Sequence, residues 1–240
     1  MTRAPLHVPG AATLDQLAAL GPFFALHTHH RDQPASTPWQ ELRTLVEDPD
    51  VLRERVDGVR GHLAAAGAQR PADVELRVAA SVTQLGLTAR LVSPALAVAV
   101  LSGSWPRPAL ALARWQPVPG GAFPLSFDAA AFAPGTPEDL LEGPVRDLVL
   151  ATAELSVSPK VLWGNVASAV NGAATVLAGA RPDLAAAARA AATLLLASPA
   201  LRGAAEPPGT GRFRRRSCCL IYRAAPGRAG ALCGDCVLTR

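Results

Sequence analysis

A chain of 240 residues that is 50% apolar is long enough to bury a sizeable core, and a net charge of +4 is too small to mark a polyanion-binding surface. No continuous basic stripe or interleaved aromatic platform is present, so nucleic-acid binding is not expected. Aromatic residues make up only 5% and Ala, Val and Leu dominate the apolar content, which favours closely packed helices over a large aromatic pocket.

In chain order, the first 35 or so residues are irregular except for a short helix over Ala11 to Leu20, with Thr13 as its expected cap and Gly21-Pro22 as its stop. No apolar run of signal-peptide length precedes Pro9-Gly10 and Asp15. His27-Thr28-His29-His30 is the one histidine cluster; strand alternation would put His27 and His29 on one face and His30 on the other. It is read as a polar surface strand or loop rather than a metal site. Asp32 to Pro38 is a loop. Leu42, Leu45, Val46, Val51, Leu52, Val56 and Val59 recur at helical spacing between Trp39 and Ala68, and Asp48-Pro49 breaks that run into two helices with a solvated charged face.

Asp73, as a cap, opens a longer apolar segment that reaches Leu101 and is divided at Ser93-Pro94. Pro108 to Gln116 and Ala122 to Asp128 are predicted strands, joined in a hairpin through Pro117 to Gly121. Trp105 and Trp115 flank this turn and are read as packing against the helices rather than lining a ligand groove. Asp128 to Pro144 is a loop with an acidic turn at Glu138-Asp139. Val145 to Glu154, Pro159 to Ala178 and Pro182 to Ala197 are three further helices, opened by proline in the last two cases. The stretches Ala79 to Leu101 and Val161 to Ala180 are apolar enough to raise the question of membrane spans. Gln84, Arg90 and Pro94 in one, and Asn165 and Asn171 in the other, make both read as buried helices of a soluble protein. A cytoplasmic location is therefore expected. The fold class expected is α+β: a mainly helical body over residues 1–205 with a small antiparallel sheet, then a tail over 206–240 beyond the linker Gly203 to Gly211.

That tail holds all four cysteines of the chain, Cys218, Cys219, Cys233 and Cys236, in the pattern C-C-x13-C-x2-C. Buried thiols used as small hydrophobes have no reason to cluster, so the pattern points to sulfur chemistry. Two disulfides fit poorly without a secretory signal. Structural zinc prefers two pairs spaced C-x(2-4)-C, which Cys233 and Cys236 satisfy and the adjacent Cys218 and Cys219 do not. A binuclear iron-sulfur core spreads four thiolates over a larger framework and relaxes that demand. Spacing favours the iron-sulfur option and leaves zinc open.

The run Arg215-Arg216-Ser217-Cys218-Cys219-Leu220-Ile221-Tyr222-Arg223, followed by Cys233-Gly234-Asp235-Cys236, resembles the C-terminal signature of FhuF-type ferric-siderophore reductases. Ser158-Pro159-Lys160-Val161-Leu162-Trp163-Gly164-Asn165 is similar to a second segment of that family. The resemblance implies that the four cysteines ligate a 2Fe-2S cluster, with no other catalytic side chain. It further implies that a ferric siderophore and an external electron donor are the partners, and that the body is related to the terminal domain of siderophore synthetases. Peripheral association with the inner membrane is compatible with it. The alternatives are a zinc-stapled, non-catalytic binding protein and an iron-sulfur redox sensor. Arg214, Arg215 and Arg216 have two readings: fixed charge that stabilises an anionic cluster or docks an acidic partner, or a solvated basic strand that merely precedes the motif. Tyr222 is read by default as core packing, with packing over the cluster or a hydrogen bond to sulfur as the alternative; Trp163 lies on the helix that the resemblance places near the cluster, and structural packing is its other reading. The spacer Leu220 to Leu232 is longer than is usual in the family; its extra residues, around Ala224 to Gly230, are expected to bulge outward without moving the ligands.

Overall fold

The computed structural model describes residues 8–120, 122–206 and 212–239. Residues 207–211, the centre of the expected linker, and 1–7 lie outside that set. Eight α-helices occur among the described residues: α1 Ala11–Ala19, α2 Thr44–Glu47, α3 Pro49–Ala66, α4 Leu76–Ser102, α5 Pro137–Leu140, α6 Arg146–Ala153, α7 Pro159–Ala180 and α8 Ala185–Leu196. The strands are β1 His27–His29, β2 Gln40–Glu41, β3 Trp105–Pro106, β4 Ala113–Trp115, β5 Leu125–Asp128 and β6 Pro134–Gly135.

The expected α+β architecture is present, organised around α4, which packs against α3, α7 and α8. The expected division at Ser93-Pro94 does not occur: α4 runs unbroken with Pro94 inside it. A proline in a helix interior costs about 3 kcal/mol. Leu87, Leu91, Val92 and Leu96 are each at most 2% exposed, and each such burial stabilises by about 1.5–3 kcal/mol, so packing outweighs the missing hydrogen bond. Asp73 is not the cap of this helix. It sits in a turn clasped by Arg70 at 2.8 Å, and Glu75 precedes α4. Thr13 likewise gives way to Gly10 as the residue before α1. Asp48 does start α3, its carboxylate accepting from the Asp50 amide at 3.0 Å.

The larger sheet has the order β1-β5-β4-β2. Its expected antiparallel pair is β4 and β5, with Trp115 opposite Leu125, and β2 extends it antiparallel. Strand β1 joins β5 in parallel, its His29 ring nitrogen 2.8 Å from the Ser126 hydroxyl. The histidine segment is thus a polar strand. Two helices, α4 and α7, are long and apolar enough to cross a membrane by length and composition, and 67% and 56% of their most apolar windows are buried by the rest of the chain.

Arg90, at 1% exposure, fastens the sheet to α4. Its guanidinium donates to the Phe123 carbonyl at 2.9 Å, Phe23 at 2.6 Å and Ala25 at 3.0 Å, and lies 5.5 Å from the Phe123 ring centre. Burial lowers its pKa to about 10, still far enough above neutrality to keep the cation.

Candidate metal centre

Among its described residues the tail has no helix longer than a 3-10 turn. Ala205 and Arg215 form an isolated antiparallel bridge, and the Arg215 amide donates to the Asp235 carbonyl at 3.1 Å, joining the two cysteine pairs. Leu220 follows Cys219 with φ +71°, a left-handed turn that redirects the backbone directly after the vicinal cysteines. This turn aims the Leu220 amide at Cys218 Sγ, 3.3 Å away. The Leu238 amide is 3.4 Å from Cys236 Sγ in the same i+2 relation. Two of the four sulfurs therefore accept a backbone N–H, the arrangement by which a protein supports thiolate ligands.

Cys219 and Cys236 are buried, while Cys218 and Cys233 are half-buried. Cys219 and Cys233 lie side by side across the spacer. Burial, and then this neighbour, pushes the Cys233 thiol up to about 12, and burial also raises Cys218. Holding these groups as thiolates requires local positive charge, which a metal centre provides. Among the described residues no three His, Cys, Asp or Glu side chains form a ready-made group for a metal ion.

Of the three arginines preceding the cysteines, only Arg215 is buried. At 1% exposure it donates to the Val161 carbonyl at 3.3 Å on the first turn of α7 and acts electrostatically on Cys218. Arg214 points toward Glu206 at 3.9 Å and to the Thr239 carbonyl, and Arg216 is exposed. Arg215 Nε and Ser217 Oγ are both buried without a hydrogen-bond partner. An unpartnered buried donor costs about 1–3 kcal/mol, and an anionic thiolate-held centre beside these two would accept from them. On the chemistry of the donor set, a 2Fe-2S group fits.

The second sequence segment explains the seat. Gly164 has no room for a side chain: a Cβ there would come within 2.1 Å of Ser217 Oγ and 3.1 Å of Arg215 Nη2. Asn165, fully buried, donates to the Ser81 carbonyl and to Gln84 Oε1, both at 2.9 Å, and the Ser81 hydroxyl donates to the Cys219 carbonyl at 2.9 Å. Trp163 packs on the main core, and nothing connects it to the sulfurs. Tyr222 is partly buried beside Arg223, its carbonyl accepting from Gly230 at 2.8 Å. Ser81 and Glu75 were missed by sequence reasoning, because nothing local marks a contact with a segment more than 130 positions away, and the role of Gln84 was missed because its partner Asn165 is 81 positions on.

The spacer is exposed at Pro226 to Ala229 and again at Ala231 and Leu232. The residues before that exposed stretch are fastened to the body. Gln69 donates to the Ala224 carbonyl, and Glu75 receives Arg223 at 2.6 Å and Arg228 at 3.2 Å. Arg223, and then Arg77, hold the Glu75 carboxyl below the usual range. This tether is accordingly intact at neutral pH and is lost only as pH falls through the lowered value. Glu75→Gln is expected to speed hydrogen exchange at the Gly230 amide about tenfold without loss of the helical signal. Unchanged exchange would show that Glu75 does not hold the spacer.

No curated protein and no solved structure matches the chain. Residues 215–238 match the family model of the FhuF 2Fe-2S C-terminal domain, a match that takes in all four cysteines and supports a 2Fe-2S cluster in a tail similar to that domain.

Proposed function

We propose that the chain is a ferric-siderophore reductase of iron acquisition, in which chelated Fe(III) accepts one electron and leaves as Fe(II). An external protein or chemical reductant supplies the electron. The observation that carries this reading is the four-cysteine tail fastened to α4 through the Ser81 hydroxyl and to α7 through Arg215, with backbone amides directed at the sulfurs of Cys218 and Cys236. In the proposal Cys218, Cys219, Cys233 and Cys236 are the ligands. A 2Fe-2S cluster, when bound, supplies electrons one at a time, which is what ferric reduction requires.

The remaining work falls to the chain's own groups. Arg215 is fixed positive charge inside the tail, so it favours the more negative, reduced condition and raises the potential. The Asn165, Ser81 and Cys219 contacts hold the tail on the body. No general base or nucleophile is needed, and oxygen donors hold the less charged ferrous ion less tightly. Arg212 and Arg216, both exposed, offer an acidic donor protein a docking surface whose strength falls with added salt. The cytoplasm, with transient contact at the inner membrane, is the proposed setting.

The test is anaerobic purification with metal and acid-labile sulfide analysis, then reduction of a ferric trihydroxamate by dithionite-reduced protein with a ferrous-specific chelator as trap. About two irons and two sulfides per chain and trapped Fe(II) are expected. A colourless protein holding one zinc, unchanged by dithionite, overturns the reading.

A further inference from the structure

The charge of the chain is not spread evenly. Residues 212–239 hold six arginines and one acidic residue, whereas the rest of the chain holds 17 basic and 18 acidic residues, so the net charge of +4 resides in the tail. Its placement follows from strand periodicity. In Arg212-Phe213-Arg214-Arg215-Arg216-Ser217-Cys218-Cys219 the odd-numbered positions turn inward, Arg215, Ser217 and Cys219 being buried and Phe213 packing on the core. The even-numbered positions turn outward: Arg212 and Arg216 are exposed, Arg214 and Cys218 half-buried. One run of sequence therefore puts three guanidiniums and a cysteine on the same outer face.

The other cysteine pair adds apolar surface. The Cys236 amide donates to the Cys233 carbonyl at 3.2 Å and the Thr239 amide to the Cys236 carbonyl at 3.4 Å, so two consecutive turns pivot on the buried Cys236. Turn corners are normally taken by Gly, Asn, Asp, Ser or Pro. Gly234 and Asp235 obey this in the first turn, but the corners of the second are Val237 and Leu238, 37% and 49% exposed. Leu232, at 41%, enters the first turn beside the half-buried Cys233. A turn brings its ends within about 7 Å, so Leu232 and the Val237-Leu238 corner are neighbours on either side of the cysteine pair. The arginines border them. Arg212 Nη2 lies 3.6 Å from the place a Gly234 side chain would take, Arg214 donates to the Thr239 carbonyl, and the Arg215 amide joins their strand to Asp235. Apolar side chains clustered in solvent beside cations, at the open edge of a set of metal ligands, mark a contact surface.

We propose that this face is the docking site of an acidic one-electron carrier protein, and that the electron enters the tail at the edge formed by Cys218 and Cys233. The proposal rests on the reductase reading for the presence of a redox centre in the tail. Its excess positive charge attracts an acidic partner. Electron-transfer encounters are small, burying under about 1,200 Å² in total, which suits three apolar side chains with a charged rim. An anionic membrane fits less well. Lipid-binding segments gather about four to eight basic residues, and this face offers three arginines, one of them already 3.9 Å from Glu206. In the encounter the carrier loses one electron and the tail gains it, with no bond made or broken. The arginines set how often the complex forms, and the apolar centre sets how long it lasts.

Calorimetric titration of the metal-loaded chain with an oxidised, acidic flavodoxin reads docking apart from electron transfer. Reduced flavodoxin mixed anaerobically with the oxidised chain then reads transfer through the flavin absorbance. One flavodoxin per chain is expected at low salt, with affinity at least about tenfold weaker at high salt. Arg212→Glu should weaken docking and slow transfer about tenfold at low salt. Arg189→Glu, the same charge change at an exposed position of α8, should leave both within about twofold. Leu232→Gln combined with Leu238→Gln should weaken docking about tenfold at any salt while keeping the visible absorbance and the helical signal. The arginine variant decides the matter if the leucine variant loses its metal. Absence of docking, equal weakening by Arg189→Glu and Arg212→Glu, or undiminished docking in both tail variants overturns the proposal. So does wild-type binding to phosphatidylserine vesicles that the tail variants lose while transfer from flavodoxin is unchanged. Ferric reduction by the dithionite-reduced chain, with flavodoxin transfer undiminished in both tail variants, removes the patch and leaves the reductase reading standing. Docking and transfer lost in the tail variants, with no ferric reduction by the wild type, support the patch and remove that reading.

Discussion

Cys219→Ser is expected to reduce bound iron and sulfide to background and to abolish the visible absorbance of the anaerobically prepared protein. The thiol is 4% exposed, it lies beside Cys233, and its own carbonyl is held by Ser81 at 2.9 Å, so its position is set by the body as well as by the tail. A serine hydroxyl is a hard, weakly acidic donor that replaces thiolate poorly around iron and sulfide. Loss at this one position should match loss at Cys236, the other buried member of the set. Ser81→Ala supplies the contrast. It keeps every sulfur and removes only a positioning contact, so the metal should be retained but released to a chelator about tenfold faster. Full iron and sulfide in Cys219→Ser would take that residue out of the ligand set.

The second large effect concerns stability. Arg90→Met should lower the unfolding free energy by about 3–5 kcal/mol, equivalent to roughly 10 °C in melting temperature for a chain of this size. Exchanging a buried charge for an apolar residue is often neutral when its partner is exchanged as well. Here the partners are three backbone carbonyls, of Phe23, Ala25 and Phe123, which a methionine leaves without a donor inside the protein. Arg90→Lys keeps the charge and offers no planar fork, so it should fall between the two. Thermal unfolding followed by circular dichroism measures all three. A melting temperature within about 2 °C of wild type in Arg90→Met would mean that the sheet is held by packing alone.

Much of the body could be read from punctuation. Pro49 and Pro159 open α3 and α7, and Pro182 leads into α8, because a missing N–H costs nothing in a first turn. Pro94 deceived the same logic: local chemistry argues for a break, and only the burial of α4 on every side overrules it. Arg90 looked like an interruption of an apolar stretch, since a sequence does not show that three carbonyls from two other segments converge on it. The cysteines were legible through spacing. Their supports were not, because Ser81 and Glu75 are ordinary polar residues until the fold brings residues 219 and 223 to them. Gly164 was visible only inside a motif; its meaning, that Ser217 and Arg215 occupy the space of a side chain, belongs to the assembled structure.

The seat made by Ser81, Gly164 and Asn165 also bears on biogenesis. Every residue of it emerges from the ribosome before the first cysteine, and helical elements fold far faster than translation adds residues. The seat can therefore form before the cysteines follow it, and their placement becomes a local closing of the tail onto a surface already made.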